Sequence, residues 1–239
     1  MLTLQNLTKT YGETVAVSHL NLKIEPGELF GFIGPNGAGK TTTIKLIVGL
    51  LQPTAGSVLI DGVDVQRDPE GVKAKIAYIP DSPFLYETLT GREFLYFVGS
   101  LFRVNEKRMN QRTEELIDLF EMKDWIDLRI GEYSHGMRQK TTFSSALLHD
   151  PLILLVDEPM VGLDPKSARI VKEVFQEMTR KGKTVFLSTH TLSLAEEICS
   201  LVGMINRGKL ITLGSVDALK ARAGSNHGTL EEAYFKLTT

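Results

Sequence analysis

Gly34-Pro35-Asn36-Gly37-Ala38-Gly39-Lys40-Thr41 is a glycine, four residues, then Gly-Lys-Thr, the spacing of a loop that wraps phosphate. The apolar run Leu29, Phe30, Phe32, Ile33 precedes it and Thr42-Thr43-Ile44-Lys45-Leu46-Ile47-Val48 follows, which predicts strand, loop and helix in that order. Glycines let the backbone fold tightly, with successive N–H groups turned inward as an anion nest. A helix N-terminus directly behind adds unpaired donors and partial positive charge. The stretch therefore predicts a nucleoside triphosphate site built from Asn36, Gly37, Ala38, Gly39, Lys40, Thr41 and Thr42. In that chemistry Lys40 reaches the β- and γ-phosphates and the Thr41 hydroxyl holds Mg²⁺.

Composition narrows the setting. The 239 residues suffice for one substantial domain, and 42% hydrophobic with 23% charged residues is ordinary for a globular protein. A formal charge of -2 offers no basic field for nucleic acid. The single cysteine, Cys199, excludes an internal disulfide and any Cys-cluster metal site, making the cytoplasm the expected location. Neither a signal peptide nor an apolar run of membrane-spanning length is legible, so any membrane part is expected from another subunit.

Outward from the loop, the chain alternates strand and helix patterns. Leu2, Leu4, Leu7 and then Leu20, Leu22, Ile24 predict an antiparallel β opening, with the turn Glu25-Pro26-Gly27-Glu28 after it. Tyr11 lies between those runs, an aromatic ring able to stack on a base. Ser57 to Gly62 and Lys75 to Ile79 read as short strands, the second ended by Pro80-Asp81-Ser82-Pro83. From about 84 to 133 the period becomes helical, which predicts a helical insertion with Phe84, Tyr86, Phe94, Tyr96, Phe97 and Phe102 mostly in its core and a minority of them forming a groove for a partner. The unbroken run Leu152-Ile153-Leu154-Leu155-Val156, ending in Asp157-Glu158-Pro159, predicts a strand of a two-sided parallel sheet. A helix over 165–181 follows, stopped by Gly182, and then the strand Thr184 to Thr189 with His190 at its carboxyl end. A hairpin around Asn206-Arg207-Gly208 and a helical tail over 215–239, broken around Gly224 to Gly228, complete the chain.

Ligands of open α/β sheets bind at the carboxyl ends of the strands, which is where this reading places Asp157, Glu158 and His190. Asp157 is expected to hold Mg²⁺ directly or through its water shell. Glu158, one residue on, points to the other side of an extended chain and serves as general base for the attacking water. His190 is expected to hydrogen-bond the γ-phosphate.

With these residues assembled, the chain resembles the ATP-binding subunit of an ABC transporter over nearly its whole length. Tyr11 matches the adenine-stacking aromatic, Gly34 to Thr41 the Walker A loop, and Leu152 to Asp157 the Walker B strand with Glu158 as catalytic glutamate. Gly162-Leu163-Asp164 matches the D-loop, His190 the switch histidine, and Tyr133-Ser134-His135-Gly136-Met137 stands where the family has Leu-Ser-Gly-Gly-Gln. The resemblance implies a P-loop NTPase (RecA-like) α/β core with an N-terminal antiparallel β subdomain and the inserted helical subdomain, in one ABC ATPase domain over 1–239. It also implies ATP and Mg²⁺ as ligands and a head-to-tail homodimer, in which Ser134, His135, Gly136 and Asp164 serve the partner's nucleotide. A separate transmembrane permease would hold the subunit peripherally at the inner face of the cell membrane.

Ser134 is expected to cap a helix beginning near Gly136, its hydroxyl and the nearby amides donating to a γ-phosphate. The chain departs from the family pattern in two places, the signature and the Q-loop. His135 replaces the first signature glycine, histidine tolerating unusual backbone angles better than most residues, and Met137 replaces the final glutamine. Asp81 replaces the Q-loop glutamine; as a carboxylate it can bind Mg²⁺ or its water while adding negative charge near the γ-phosphate. The Tyr-Ser-His-Gly-Met signature and the ending from Thr229 to Thr238 are similar to those of export-type systems. A soluble ABC ATPase of an assembly complex, as in iron–sulfur cluster biogenesis, is the alternative expectation.

Overall fold

A computed structural model describes residues 1–224 and 228–238. Two sheets organise them. The first has the order β2-β1-β4-β5 and is antiparallel throughout: β1 (Leu2–Tyr11), β2 (Thr14–Ile24), β4 (Ala55–Ile60) and β5 (Val63–Asp64). The second has the order β10-β9-β3-β8-β7-β6. Its β3 (Leu29–Ile33), β6 (Ile76–Ile79), β7 (Ile153–Asp157), β8 (Thr184–Thr189) and β9 (Leu201–Asn206) run parallel, and β10 (Lys209–Gly214) closes the edge antiparallel.

Strand pleating divides the interior in two. Phe30, Phe32, Ile153, Leu155 and Phe186 face the first sheet and helix α1 (Lys40–Ile47), in a core shared with Leu4, Leu22 and Ile44. Their neighbours Leu29, Ile33, Leu154, Val156, Val185 and Leu187 face the helices instead. Both faces of the parallel strands are covered, which is why they read as unbroken apolar runs and not as alternation.

After the short helix α2 (Pro69–Lys73), the helical stretch comprises α3 (Gly91–Leu101), α4 (Glu106–Leu119), a 3₁₀ turn at Ile130–Glu132 and α5 (His135–Leu147). Each α-helix begins on a side-chain cap: Thr90 with Glu93 for α3, Asn105 for α4, Ser134 for α5. Leu116, Ile117, Phe120 and Met122 join the sheet core, packing with Val171 and Phe175 of α6 (Pro165–Arg180). Gly182, at φ +77°, ends the chain's helical course just after α6. Helices α7 (Leu192–Ile198), α8 (Val216–Arg222) and α9 (Leu230–Thr238) complete the fold. The expected break from Gly224 to Gly228 includes residues 225–227, which lie outside the described ones. Among the described residues no helix is long and apolar enough to cross a membrane.

The aromatic residues of the helical stretch correct the sequence reading. Of the six expected mostly in the core, only Phe94 is buried; Phe84 is 83% exposed, and Tyr86, Phe97 and Phe102 also reach solvent. Tyr86 makes edge-on ring contacts with both Phe84 and Phe97 along the surface. Phe84 and Tyr86 precede α3, and within that helix the spacing identifies one apolar face without saying whether this chain covers it.

Tyr133 ties the end of this stretch to its beginning. Its buried hydroxyl accepts from the Gly91 N–H at 3.1 Å and donates to the Ile126 carbonyl at 3.0 Å, and burial pushes its pKa up to about 12. We expect Tyr133→Phe to leave the Gly91 N–H without its partner and to cost about 1–3 kcal/mol, read as a lower urea midpoint with an unchanged m-value.

Candidate functional site

The phosphate loop hangs between β3 and α1 and is held by close backbone approach. A Cβ at Gly34 would lie 2.3 Å from the Ile205 carbonyl oxygen, and one at Gly39, whose φ is +106°, 2.5 Å from that of Ala16. No other residue type fits either position. The Gly208 N–H donates to the Ala38 carbonyl at 2.8 Å and closes the loop onto the β9–β10 turn. Ala38 is buried and its own N–H donates to Pro35. Of the predicted loop residues, it therefore supplies packing and not a free donor.

Helix α1 starts at Lys40, two residues earlier than the sequence reading, on Gly39, which offers no side-chain cap. Thr43 is the first residue whose N–H donates to a carbonyl of the turn, that of Gly39 at 2.9 Å. The amides of Lys40, Thr41 and Thr42 thus occupy the turn where helix donors lack intrahelical partners. The Lys40 ammonium lies inside the loop, donating to the Gly34 and Pro35 carbonyls at 2.8 and 3.2 Å. Burial holds its pKa below the usual lysine value, against the attraction of Glu158 and Asp157.

The carboxyl ends of β7 and β8 bring in the acidic pair. Asp157 is 4% exposed. One of its oxygens accepts from the Thr41 hydroxyl at 2.7 Å and the other from the Ser188 hydroxyl. Ser188 pairs with Asp157 in the parallel register and was missed in the sequence, where a serine near the end of an apolar strand carries no motif. Glu158 corrects a second expectation: the chain does not continue extended there but turns at φ +51°, left-handed backbone that costs a non-glycine residue energy. Its carboxylate accepts from the Thr189 hydroxyl at 3.0 Å, the His190 N–H at 3.1 Å and the His190 Nδ1 at 2.8 Å.

A cavity of about 250 Å³ is lined by Asn36, Gly37, Gly39, Lys40, Thr41 and Thr42 of the loop and helix together with Asp81, Asp157 and Glu158. Among the described residues no group of three or more His, Cys, Asp or Glu is placed to hold a metal. The hydroxyl of Thr41 with the carboxylates of Asp157 and Asp81 is nevertheless an all-oxygen set. It suits Mg²⁺, which takes one or two protein oxygens and completes its shell from phosphates and water. Tyr11 stands apart at the end of β1, half exposed, with the Lys9 ammonium 5.1 Å from its ring centre.

Ser134, His135, Gly136 and Asp164 do not line this cavity. Ser134 is the N-cap of α5, which starts at His135 and not at Gly136; its hydroxyl accepts from the Met137 N–H at 3.3 Å. Met137, standing for the family's glutamine, returns the contact by taking the Ser134 N–H on its thioether at 3.4 Å. His135 needs no unusual backbone, since its φ is not positive. Its ring instead packs against Gly162, where a Cβ would lie 1.8 Å from the imidazole Cδ2. Asp164 caps α6 by accepting from the Ser167 N–H at 3.0 Å and the Ser167 hydroxyl at 2.5 Å, which takes its pKa down to about 2.

Phosphate loop, buried aspartate, glutamate and histidine at the ends of parallel strands define a nucleotide-hydrolysing α/β domain. Residues 17–161 match the family described as ABC transporter. The "ABC transporter ATP-binding protein NatA" of Bacillus subtilis (strain 168) is 39% identical over 205 residues, 85% of this chain and 83% of that protein. A solved "ATP binding subunit of ABC transporter" superposes with a TM-score of 0.95 at 32% identity, covering all of both chains. A dimeric ATP-binding cassette, solved in a post-hydrolysis state with ADP and Pi, matches 90% of this chain and 98% of its own, with a TM-score of 0.82 at 26% identity. The chain belongs to the ABC transporter family as an ATP-binding subunit, and its reaction is ATP hydrolysis.

The carboxylate of Asp164 is engaged within its own subunit. We expect Asp164→Ala to remove the α6 cap and lower the melting temperature, while ATP affinity of the monomer, measured with a fluorescent analogue, stays the same.

Proposed function

We propose that this subunit powers export of a substrate through a separate transmembrane permease, by ATP-driven head-to-tail pairing of two copies. The observation that carries the reading is an incomplete site. The cavity holds a cradle, a metal-suited oxygen set and a base, whereas Ser134 and Gly136, the remaining phosphate donors of the resemblance, lie outside its walls. A second copy facing the first supplies them. Export as the direction is supported by the Tyr133 to Met137 sequence and the ending from Thr229 to Thr238, which are similar to those of exporters.

In this reading the amides of Lys40, Thr41 and Thr42 and the Lys40 ammonium bind the phosphates. Thr41 and Asp157, with Asp81 nearby, hold Mg²⁺, which when bound neutralises phosphate charge. Tyr11 stacks on the base. Glu158 takes a proton from the attacking water. His190 contributes through its second nitrogen: its Nδ1 proton is committed to Glu158, so donation to a γ-phosphate oxygen requires Nε2 to be protonated as well. Removal of the γ-phosphate removes what joins the two copies, which makes the dimer a ligand-biased two-state element.

The permease partner is supported by an apolar groove of about 300 Å³ between the core and the helical stretch, lined by Val48, Leu50, Tyr78, Val98, Phe102 and His149. His149 stacks on Phe102, and its Nε2 meets the Ile76 carbonyl oxygen at 3.0 Å. Its buried Nδ1 has no partner. Through such a partner the subunit sits on the cytoplasmic face of a membrane.

The deciding experiment is the oligomeric state of Glu158→Gln by size-exclusion chromatography with light scattering. We expect a dimer with Mg-ATP and a monomer without it; a persistent monomer that still binds ATP would rule out self-pairing through His135. In Asp81→Gln, we expect the Mg²⁺ concentration for half-maximal hydrolysis to change several-fold, because one carboxylate leaves the cavity. An unchanged Mg²⁺ titration would remove Asp81 from the metal site.

A further inference from the structure

We infer that Thr189 is the positioning residue of Glu158, setting the orientation of its carboxylate for proton abstraction. The inference rests on the reading of Glu158 as the base and adds a residue to it.

The geometry starts from backbone strain. Glu158 leaves β7 at φ +51°, held there by its N–H on the Ser188 carbonyl at 2.9 Å. A left-handed residue after a strand carries its side chain off the line of that strand, so the sheet register alone does not aim the carboxylate. Something else must. Two neighbours do so, both at the end of β8: His190 on Oε1 and Thr189 on Oε2.

They are not equivalent. His190 is a mostly exposed side chain with a second nitrogen that the γ-phosphate is expected to engage, so its hold on Oε1 changes with the nucleotide. Thr189 is 1% exposed, cannot leave, and lines no part of the nucleotide cavity. Its hydroxyl is also fixed in rotation. Oγ1 accepts from the Thr191 N–H at 3.0 Å, the N-cap residue of α7, which occupies a lone pair and leaves the single hydroxyl proton for Oε2 of Glu158. One hydroxyl thus links the base to the start of a helix. Because Oε2 has this fixed donor, Oε1 is the oxygen left to exchange between His190 and a water.

The same strand end serves both acids in turn. Ser188 donates to Asp157 and Thr189 to Glu158, so two successive hydroxyls of β8 are matched to the last residue of β7 and the residue just beyond it. Side chains alternate across a strand, and the two donors accordingly serve the metal side and the base side separately.

Thr189→Val keeps shape and removes the donor. We expect kcat for ATP hydrolysis to fall by about 10- to 100-fold, the usual cost of losing a residue that orients a reacting group, with KM for ATP within about twofold. Thr189→Ser restores the hydroxyl and should bring kcat back to within about threefold of the starting protein. Thr189→Ala, with less bulk beside the carboxylate, must show the same split should the valine variant fold poorly. In a Glu158→Gln background, Thr189→Val should lower the residual rate no further, since the two act as one unit.

The outcomes separate. Wild-type kcat in Thr189→Val overturns the inference alone, provided Glu158→Gln has lost turnover. A fall in kcat that serine does not rescue, or one accompanied by an equal loss of ATP affinity, also overturns it, because a packing defect behaves that way. Wild-type turnover in Glu158→Gln removes the base itself, and the role of Thr189 with it.

Discussion

A buried carboxylate must be satisfied or neutralised, and Asp157 is the one on which the core turns. It is met by hydroxyls from two other elements, Thr41 at the head of α1 and Ser188 on β8. Three pieces of chain far apart in sequence are thereby brought into register at one end of the parallel sheet. The arrangement requires parallel strands, because only then do β3, β7 and β8 deliver their loops to the same edge. It requires both faces covered as well, and so the N-terminal antiparallel sheet on one side and the helices on the other.

The features legible in the sequence were those with a short-range physical cause. Glycines of a tightly folded phosphate loop, apolar strands covered on both faces, and a helix closed at Gly182 leave local marks. The hidden features depend on what comes next to them in space. Glu158 reads as one more extended residue because nothing in Asp157-Glu158-Pro159 announces a left-handed turn. Ser188 and Thr189 read as tolerated polar residues at the end of an apolar strand, and their purpose appears only with β7 alongside. Phe84, Tyr86, Phe97 and Phe102 read as mostly core, yet all four reach solvent and Phe102 lines a groove. The period of a helix says which residues share a side and nothing about what covers it.

The signature region shows how a departure from a family pattern is absorbed. With Met137 in the glutamine position, the thioether takes over the reciprocal contact of the capping box. Sulfur is a weak acceptor, so the cap keeps its form with a softer partner. His135 fills space next to Gly162 and joins the head of α5 to the loop that leads into α6. The two segments that the dimer reading places against the second copy are therefore in contact with each other, and a shift of one is felt by the other.

Lys40 sets a balance of a different kind. Its ammonium is already stripped of most water and rests on two carbonyls of its own loop. In the proposed function a phosphate bound there takes the place of peptide oxygens and not of a hydration shell, so dehydration of the cation belongs to folding and not to binding. Substitutions that let this lysine relax toward solvent would make the empty protein sturdier and the nucleotide less welcome, and stability gained at this position is affinity lost.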